Sequence, residues 1–213
     1  MKNKSQNHQD KKNMKKKIGE VATIRTGVVT ARKKRDEKSI SGYQYQMLNL
    51  KCITEEGYIN KEYVEIYESA LPLKLEYLTQ MGDILVRLSA PYTAVLIQEQ
   101  ALCGLVIPSH FAIIRANTRV VLPEYIYWTL GREKINTLIK QNSSGSTAFG
   151  TISSGAIAGL PIRILPIEKQ RILGELLKLS EREQELLHRL AEQKGKYNKE
   201  LIYKIYNTVK EGE

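Results

Sequence analysis

The chain has 213 residues, of which 42% are hydrophobic and 26% charged, which suits one globular domain with an additional element. Its two cysteines are far apart and lack metal-binding spacing, and no apolar stretch is long enough to span a membrane, so a disulfide framework, a zinc finger and a membrane protein are excluded. The formal net charge of +10 favours an anionic partner. We expect a cytoplasmic protein with reduced, at least partly buried cysteines.

The N-terminal segment carries most of this charge. Residues 1–17 contain seven lysines and one acid, Asp10, and almost nothing apolar. A segment of this composition cannot bury a core, so we predict a disordered basic tail over residues 1–16. It is an arm that tethers nucleic acid, a solvated leader, or a misassigned start for which Met14 would be the true initiator.

Short strands and turns are predicted from residue 18 to about residue 118. Period-two alternation predicts a strand over residues 43–50. β-Branched residues predict strands over residues 84–88 and 94–97, and the Ser89-Ala90-Pro91 turn between them predicts a hairpin-like pair. A further strand is expected over residues 111–114.

Helical patterns dominate the rest of the chain. Pro123-Glu124 predicts the start of a helix that reaches about Gln141, because proline and an acid suit the first turn. The Ser-, Gly- and Thr-rich residues 142–155 predict a loop. Leucines at helical spacing over residues 167–194 predict a long amphipathic helix, which Gly195 should kink or interrupt before the pattern resumes over residues 197–209.

The leucines of this long helix need a partner surface. The helix either packs on its own domain or forms a coiled-coil arm with another copy, and we favour the arm. The predicted dimerisation residues are Leu176, Leu179, Leu186 and Leu190. The fold class is therefore α+β, with a globular domain of mixed or antiparallel strands and helices over residues 17–165. A long C-terminal coiled-coil-type helical region follows over residues 166–213.

Motifs for catalysis are missing from the sequence. Only three aspartates are present, which supplies a two-metal nuclease poorly, and the Glu-x-Lys of Glu192 and Lys194 is interpreted as a solvated helix face. The segment Ser89-Ala90-Pro91-Tyr92 is similar to the motif with which amino-methyltransferases hold a flipped base, but Ala90 replaces its first proline and no glycine-rich cofactor loop precedes it. We predict a chain that is not an enzyme and binds neither cofactor nor metal.

Five landmarks in order resemble the specificity subunits of type I restriction-modification systems. They are Lys17-Ile18-Gly19-Glu20 leading to Thr26-Gly27, Gly82-Asp83-Ile84-Leu85, Pro123-Glu124-Tyr125-Ile126-Tyr127, Gly145-Ser146-Thr147, and Leu160-Pro161 through Pro166 to Glu168-Lys169-Gln170. The resemblance runs from about residue 17 to the end. It departs at Leu165, where a second proline is common, and at Ser89-Ala90-Pro91-Tyr92.

The resemblance implies a half-length, non-catalytic specificity subunit with one target-recognition domain. That domain would read one half of a bipartite site on double-stranded DNA. The long helix would be a spacer that docks methyltransferase subunits and, where one is present, a restriction subunit, with S-adenosylmethionine on the partner methyltransferase. Two copies paired through the helix would supply both halves of the site. The alternatives are a stand-alone DNA- or RNA-binding module and a DNA methyltransferase fragment.

Candidate DNA contacts fall into three groups. The proposed phosphate contacts, which are otherwise a solvated loop, are Arg32, Lys33, Lys34 and Arg35. The proposed base contacts are Gln44, Gln46, Arg87, Ser89 and Tyr92. The residues of a flexible loop, which is otherwise a structural connection, are Ser144, Gly145, Ser146, Thr147 and Phe149. Most tyrosines are interpreted as core or boundary residues.

Overall fold

A computed structural model describes residues 15–32, 42–54, 57–143 and 150–210. The chain divides into a globular unit that ends at Arg171 and a helical unit that begins at Ile172. The strands are β1 Lys15–Lys17, β2 Ala22–Thr26, β3 Tyr43–Met47, β4 Glu65–Ser69, β5 Ile84–Arg87, β6 Ala94–Leu96, β7 Phe111–Ala116 and β8 Pro161–Arg163. The helices are α1 Pro123–Leu130, α2 Glu133–Gln141, α3 Ser154–Ala158 and α4 Ile167–Lys210.

A four-stranded antiparallel sheet with the order β2-β7-β5-β6 forms the centre of the globular unit. The predicted hairpin is confirmed, because β5 pairs with β6 and Leu85 lies opposite Val95. The two middle strands, β5 and β7, are largely apolar and contribute fully buried residues such as Leu85 and Ile113 to the main core. Such near-continuous apolar sequence is typical of strands covered on both faces.

A two-stranded ribbon of β3 and β4 lies over a second, smaller core that contains Tyr67 and Val106. The predicted extension of β3 to residue 50 is wrong, since the strand ends at Met47. Asn49 causes the change: its side-chain oxygen accepts hydrogen bonds from the backbone nitrogens of Lys51 at 2.8 Å and Cys52 at 3.1 Å. This cap starts a 3-10 turn in place of further strand.

The predicted tail needs a correction at its end. Lys15 and Lys16 are not a disordered tail, because they form strand β1 together with Lys17 and pair antiparallel with β8. Backbone hydrogen bonding to β8 provides the order that composition alone does not predict. Residues 1–14 of the predicted tail lie outside the described residues.

The helix predicted from Pro123 to Gln141 is two helices. Arg132 separates α1 from α2, because its backbone is extended at φ −72° and ψ 134°. Its guanidinium lies over the Trp128 ring, 5.1 Å from the centroid, in a cation–π contact. The loop predicted to reach residue 155 also ends earlier: α3 begins at Ser154, because the Ser153 hydroxyl accepts from the backbone nitrogen of Ala156 at 3.1 Å.

Helix α4 is continuous over 44 residues, so the predicted interruption at Gly195 is wrong. One glycine costs a helix only about 1 kcal/mol relative to alanine, and its neighbours are good helix formers. Near the start of α4, the fully buried Gln170 accepts from the backbone nitrogen of Leu122 at 2.9 Å and donates to the carbonyl of Val120 at 3.1 Å.

Strands and helices in this arrangement confirm the α+β class. Within the described ranges, no helix combines the length and apolarity that crossing a membrane demands.

Candidate nucleic-acid interface

The outer surface of the β3–β4 ribbon presents two of the predicted base-reading residues. Gln44 lies opposite Glu68, and Gln46 lies opposite Ile66. Directly opposed residues of an antiparallel pair share one face. All four side chains are exposed, and Ile66 is 71% exposed although it is apolar. We call Gln44, Gln46, Ile66 and Glu68 the ribbon face.

The opposite surface of the ribbon is fixed to the protein by two tyrosines. The Tyr67 hydroxyl donates to the carbonyl of Thr30 at 2.9 Å, and the Tyr45 hydroxyl accepts from the backbone nitrogen of Leu73 at 3.0 Å. Burial raises the pKa of Tyr67 above its ordinary value, so its hydroxyl remains a donor well into the alkaline range. The ribbon face is therefore held on a rigid support.

The segment around Val106 joins the ribbon to the rest of the globular unit. Val106 donates to the carbonyl of Gln46 at 2.8 Å and accepts from the nitrogen of Leu48 at 3.0 Å. The next residue, Ile107, accepts from the nitrogen of Val28 at 2.8 Å. A Cβ at Gly27 would stand closer than 3.0 Å to the carbonyl oxygen of Ile107, so only glycine fits this approach.

The predicted phosphate contacts begin just beyond this approach. Arg32 ends the 3-10 turn Thr30–Arg32, whose first residue receives the Tyr67 hydrogen bond. This hydrogen bond therefore connects the backbone just before the basic residues to Tyr67 on the inner surface of the β3–β4 ribbon. Lys33, Lys34 and Arg35 lie outside the described residues.

A second group of predicted residues surrounds the turn after β5. Ser89 pairs with Thr151, and the nitrogen of Ile152 donates to the carbonyl of Leu88 at 2.8 Å. A Cβ at Gly150 would lie 2.7 Å from the Tyr92 hydroxyl. The turn therefore contacts the C-terminal flank of the predicted Gly-Ser-Thr loop. The loop residues Ser144, Gly145, Ser146, Thr147 and Phe149 lie outside the described residues.

Not every candidate in this turn is presented at the surface. Tyr92 is buried, with 8% exposure, and has the left-handed φ of 62°. Arg87 is half-buried, and its Nη2 is 3.5 Å from the carbonyl of Ala90. Within the described ranges, the Arg87 Nε is a buried donor without an acceptor. The structure thus gathers Arg87, Ser89 and Tyr92 in one turn, whereas Gln44 and Gln46 lie on a separate element.

Sequence reasoning missed half of the ribbon face. Ile66 and Glu68 belong to β4, which was not predicted as a strand. Hydropathy gave no clear period-two signal over this strand, since the apolar Ile66 is exposed whereas the polar Ser69 is buried. The opposition of Ile66 to Gln46 depends on strand register, which one sequence does not specify.

Comparison with known proteins gives a family and a fold. A sequence model of the family described as type I restriction modification DNA specificity domain matches residues 10–193. No curated protein matches this chain. One similar solved chain, from work on complex assembly and conformational transition of the type I R-M system, superposes with a TM-score of 0.62 at 18% identity. That match covers 84% of this chain and 44% of the solved one.

The HsdS subunit from Thermoanaerobacter tengcongensis is also similar, with a TM-score of 0.56 and 22% identity over 81% of this chain and 43% of its own. This chain therefore spans less than half the length of either solved protein, and these two likenesses show a shared fold. The family match extends over most of the chain and confirms the predicted role in DNA recognition and the absence of a catalytic role. The chain belongs to the type I restriction modification DNA specificity domain family.

Proposed function

We propose that the globular unit reads one half of a bipartite target on double-stranded DNA and that α4 docks the partner subunits. The observation that carries the first part is the ribbon face, a set of exposed side chains on a support tied down by Tyr45 and Tyr67. The major groove of B-DNA admits a two-stranded ribbon. Reading side chains must be exposed and rigidly held, and the ribbon face satisfies both conditions.

The chemistry of the ribbon face suits base edges. A glutamine amide forms paired hydrogen bonds with N6 and N7 of adenine, which both Gln44 and Gln46 offer. The exposed Ile66 would make an apolar contact with a thymine methyl group, which explains an apolar side chain exposed to solvent. Each good contact of this kind discriminates between bases by about 1–3 kcal/mol.

The two loops would hold the backbone of the DNA. Arg32, Lys33, Lys34 and Arg35 are proposed to bind phosphates and set the register of the ribbon. Ser144, Gly145, Ser146, Thr147 and Phe149 are proposed to reach the backbone or a base beside the Ser89 turn. Because Tyr92 is buried and Arg87 half-buried, we assign these two residues to shaping that turn, and Ser89 to contacting DNA.

Helix α4 is proposed to pair with the same helix of a second copy. Its predicted dimerisation leucines, which are between 50% and 67% exposed, are Leu176, Leu179, Leu186 and Leu190. Ile172, also exposed, extends the same row by one turn. Antiparallel pairing would relate two reading domains by a twofold axis, so the target would be two identical, inverted half-sites around a spacer. Methyltransferase subunits that carry S-adenosylmethionine, and a restriction subunit where present, would dock on this pair.

The test is to express the chain with a type I methyltransferase subunit and map the methylated sites on genomic DNA. An interrupted palindrome is the expected result, and methylation should require both proteins. Two different half-sites would contradict pairing of two copies, and methylation by the chain alone would show a methyltransferase. Purified chain that binds RNA in preference to duplex DNA would indicate a stand-alone RNA-binding module.

A further inference from the structure

Strands β1 and β8 bring three positive charges onto one face of a small ribbon. Their register places Lys15 opposite Arg163, Lys16 opposite Ile162 and Lys17 opposite Pro161. Alternate residues of a strand point to opposite faces. Ile162 is buried, at 1% exposure, so its face is the inner one, and Lys15, Lys17 and Arg163 share the outer one. We call these three residues the basic face.

The basic face lowers the stability of the isolated protein through electrostatic repulsion. Like charges directly opposite each other destabilise a strand pair, and Lys15 and Arg163 are in that position. The ion pairs formed by the described residues do not include any of the three. Glu20, which bonds to this strand, accepts from the backbone nitrogen of Lys17 at 2.5 Å and caps a 3-10 turn. An external anion would relieve the repulsion.

A buried tyrosine holds this face in place. The Tyr125 hydroxyl donates to the carbonyl of Arg163 at 2.7 Å, and its ring stacks on Trp128 with 5.6 Å between centroids. Burial raises the pKa of Tyr125, while the charges of Arg132 and Arg163 act in the opposite direction.

We propose that the basic face is a phosphate-binding surface that contacts the DNA backbone independently of base sequence. The inference rests on the proposed function, since it assumes that the globular unit binds duplex DNA. Arginine matches phosphate through paired hydrogen bonds, and lysine supplies a point charge. Three such groups on one fixed face suit a polyanion with regularly spaced charges. The ribbon face would then select the sequence, and the basic face would add affinity for any duplex.

The test uses the full chain with Lys15, Lys17 and Arg163 all changed to glutamine. Binding to two unrelated duplexes is measured by fluorescence anisotropy over a series of NaCl concentrations. Each lost phosphate contact should reduce the slope of log K against log salt by about 0.9, and affinity should fall by the same factor for both duplexes. The matched control removes the same charge from exposed positions of α4, as Lys194→Gln, Lys196→Gln and Lys199→Gln, and should retain the wild-type slope.

A second variant separates charge from folding. Lys15→Arg with Lys17→Arg keeps the charge and should retain the slope, and far-ultraviolet circular dichroism should show the same fold for all variants. An unchanged slope in the glutamine variant would overturn the phosphate site. Normal DNA binding with lost affinity for a methyltransferase subunit would overturn it in favour of an acidic protein surface. If the wild-type chain binds neither duplex, the proposed function fails and the basic face fails with it.

Discussion

Arg115 binds Asp83 through two parallel hydrogen bonds, from Nε to Oδ1 at 2.8 Å and from Nη2 to Oδ2 at 3.0 Å. Asp83 is 1% exposed, and its carboxylate also accepts from the backbone nitrogen of Gln80 at 2.9 Å. Arg115 Nη2 donates in addition to the carbonyl of Leu78 at 2.9 Å. The pair joins the residue before β5 to the end of β7, so the aspartate of the Gly-Asp-Ile-Leu motif has a structural role.

Removing one partner of this pair should destabilise the fold. Arg115→Ala leaves the buried Asp83 carboxylate without its guanidinium, and the free energy of unfolding should fall by about 3 kcal/mol. Urea denaturation followed by circular dichroism measures the loss. Lys61→Ala is the control, because it breaks the exposed Lys61–Glu99 pair and should cost less than about 1 kcal/mol. Equal losses would show that burial of Asp83 contributes nothing.

A side chain at Gly27 should also destabilise the globular unit. Gly27→Ala places a methyl group against the backbone carbonyls of Ile107 and Pro108, which belong to the core and cannot move aside cheaply. We expect a loss of at least about 2 kcal/mol in thermal unfolding. In Gly131→Ala, where the nearest atom to the new Cβ lies at 3.6 Å, stability should change by no more than about 0.5 kcal/mol. A Gly27→Ala protein as stable as wild type would refute the close approach.

The ribbon face should determine sequence preference. Gln44→Ala with Gln46→Ala should alter the mapped methylation sites, since both candidate adenine contacts are removed, and should leave the salt dependence of DNA binding unchanged. The control is Gln98→Ala with Gln184→Ala, which removes two exposed glutamines from other parts of the chain. Unaltered sites in the first variant would remove the ribbon face from base reading.

The leucine row of α4 should control assembly. Glutamine at Leu176, Leu179, Leu186 and Leu190 should convert a dimer into a monomer in sedimentation velocity, with the globular unit still folded. The control variant carries Lys178→Gln, Glu192→Gln and Lys199→Gln at heptad positions away from the row and should remain dimeric. A wild-type chain that sediments as a monomer at all concentrations, with methyltransferase present as well, would contradict pairing of two copies.

The two thiols should differ in reactivity. Cys52 is fully buried, and burial raises the pKa of its thiol, so little thiolate forms and access is blocked. Cys103 is half-buried. A thiol reagent such as DTNB should therefore react with one group in the native chain and with the second only after unfolding. Cys103→Ser should abolish the fast reaction, and a fast reaction that persists in this variant would show that Cys52 is accessible.

Local sequence patterns predicted the strands and helices better than they predicted which strands pair. Residues 84–97 combine apolar strands with a turn, and this short-range signal gave the β5–β6 hairpin correctly. Pairing of β1 with β8, by contrast, depends on contacts between distant segments. A run of lysines has no apolar alternation that would predict a strand. Contacts between distant segments determine the secondary structure where local propensity does not favour one state.

The candidate site was likewise predicted only in part from the sequence. Composition and hydrogen-bonding chemistry singled out Gln44 and Gln46, and the structure exposes both on one surface. The same reasoning gave no means of predicting that Tyr92 is buried, because a tyrosine suits a core and an interface equally well. The base contacts themselves remain predictions for the experiments above.

The pairing of β1 with β8 also affects how the chain folds during synthesis. Lys15–Lys17 leaves the ribosome well before its partner Pro161–Arg163, which follows only after almost the whole globular unit. Contacts between such distant segments form late, because the entropy of a long loop is lost before the contacts can contribute any stabilising free energy. A nascent chain therefore exposes its lysines without a partner strand until β8 emerges. The basic face exists only once the unit is complete, so truncated products lack it.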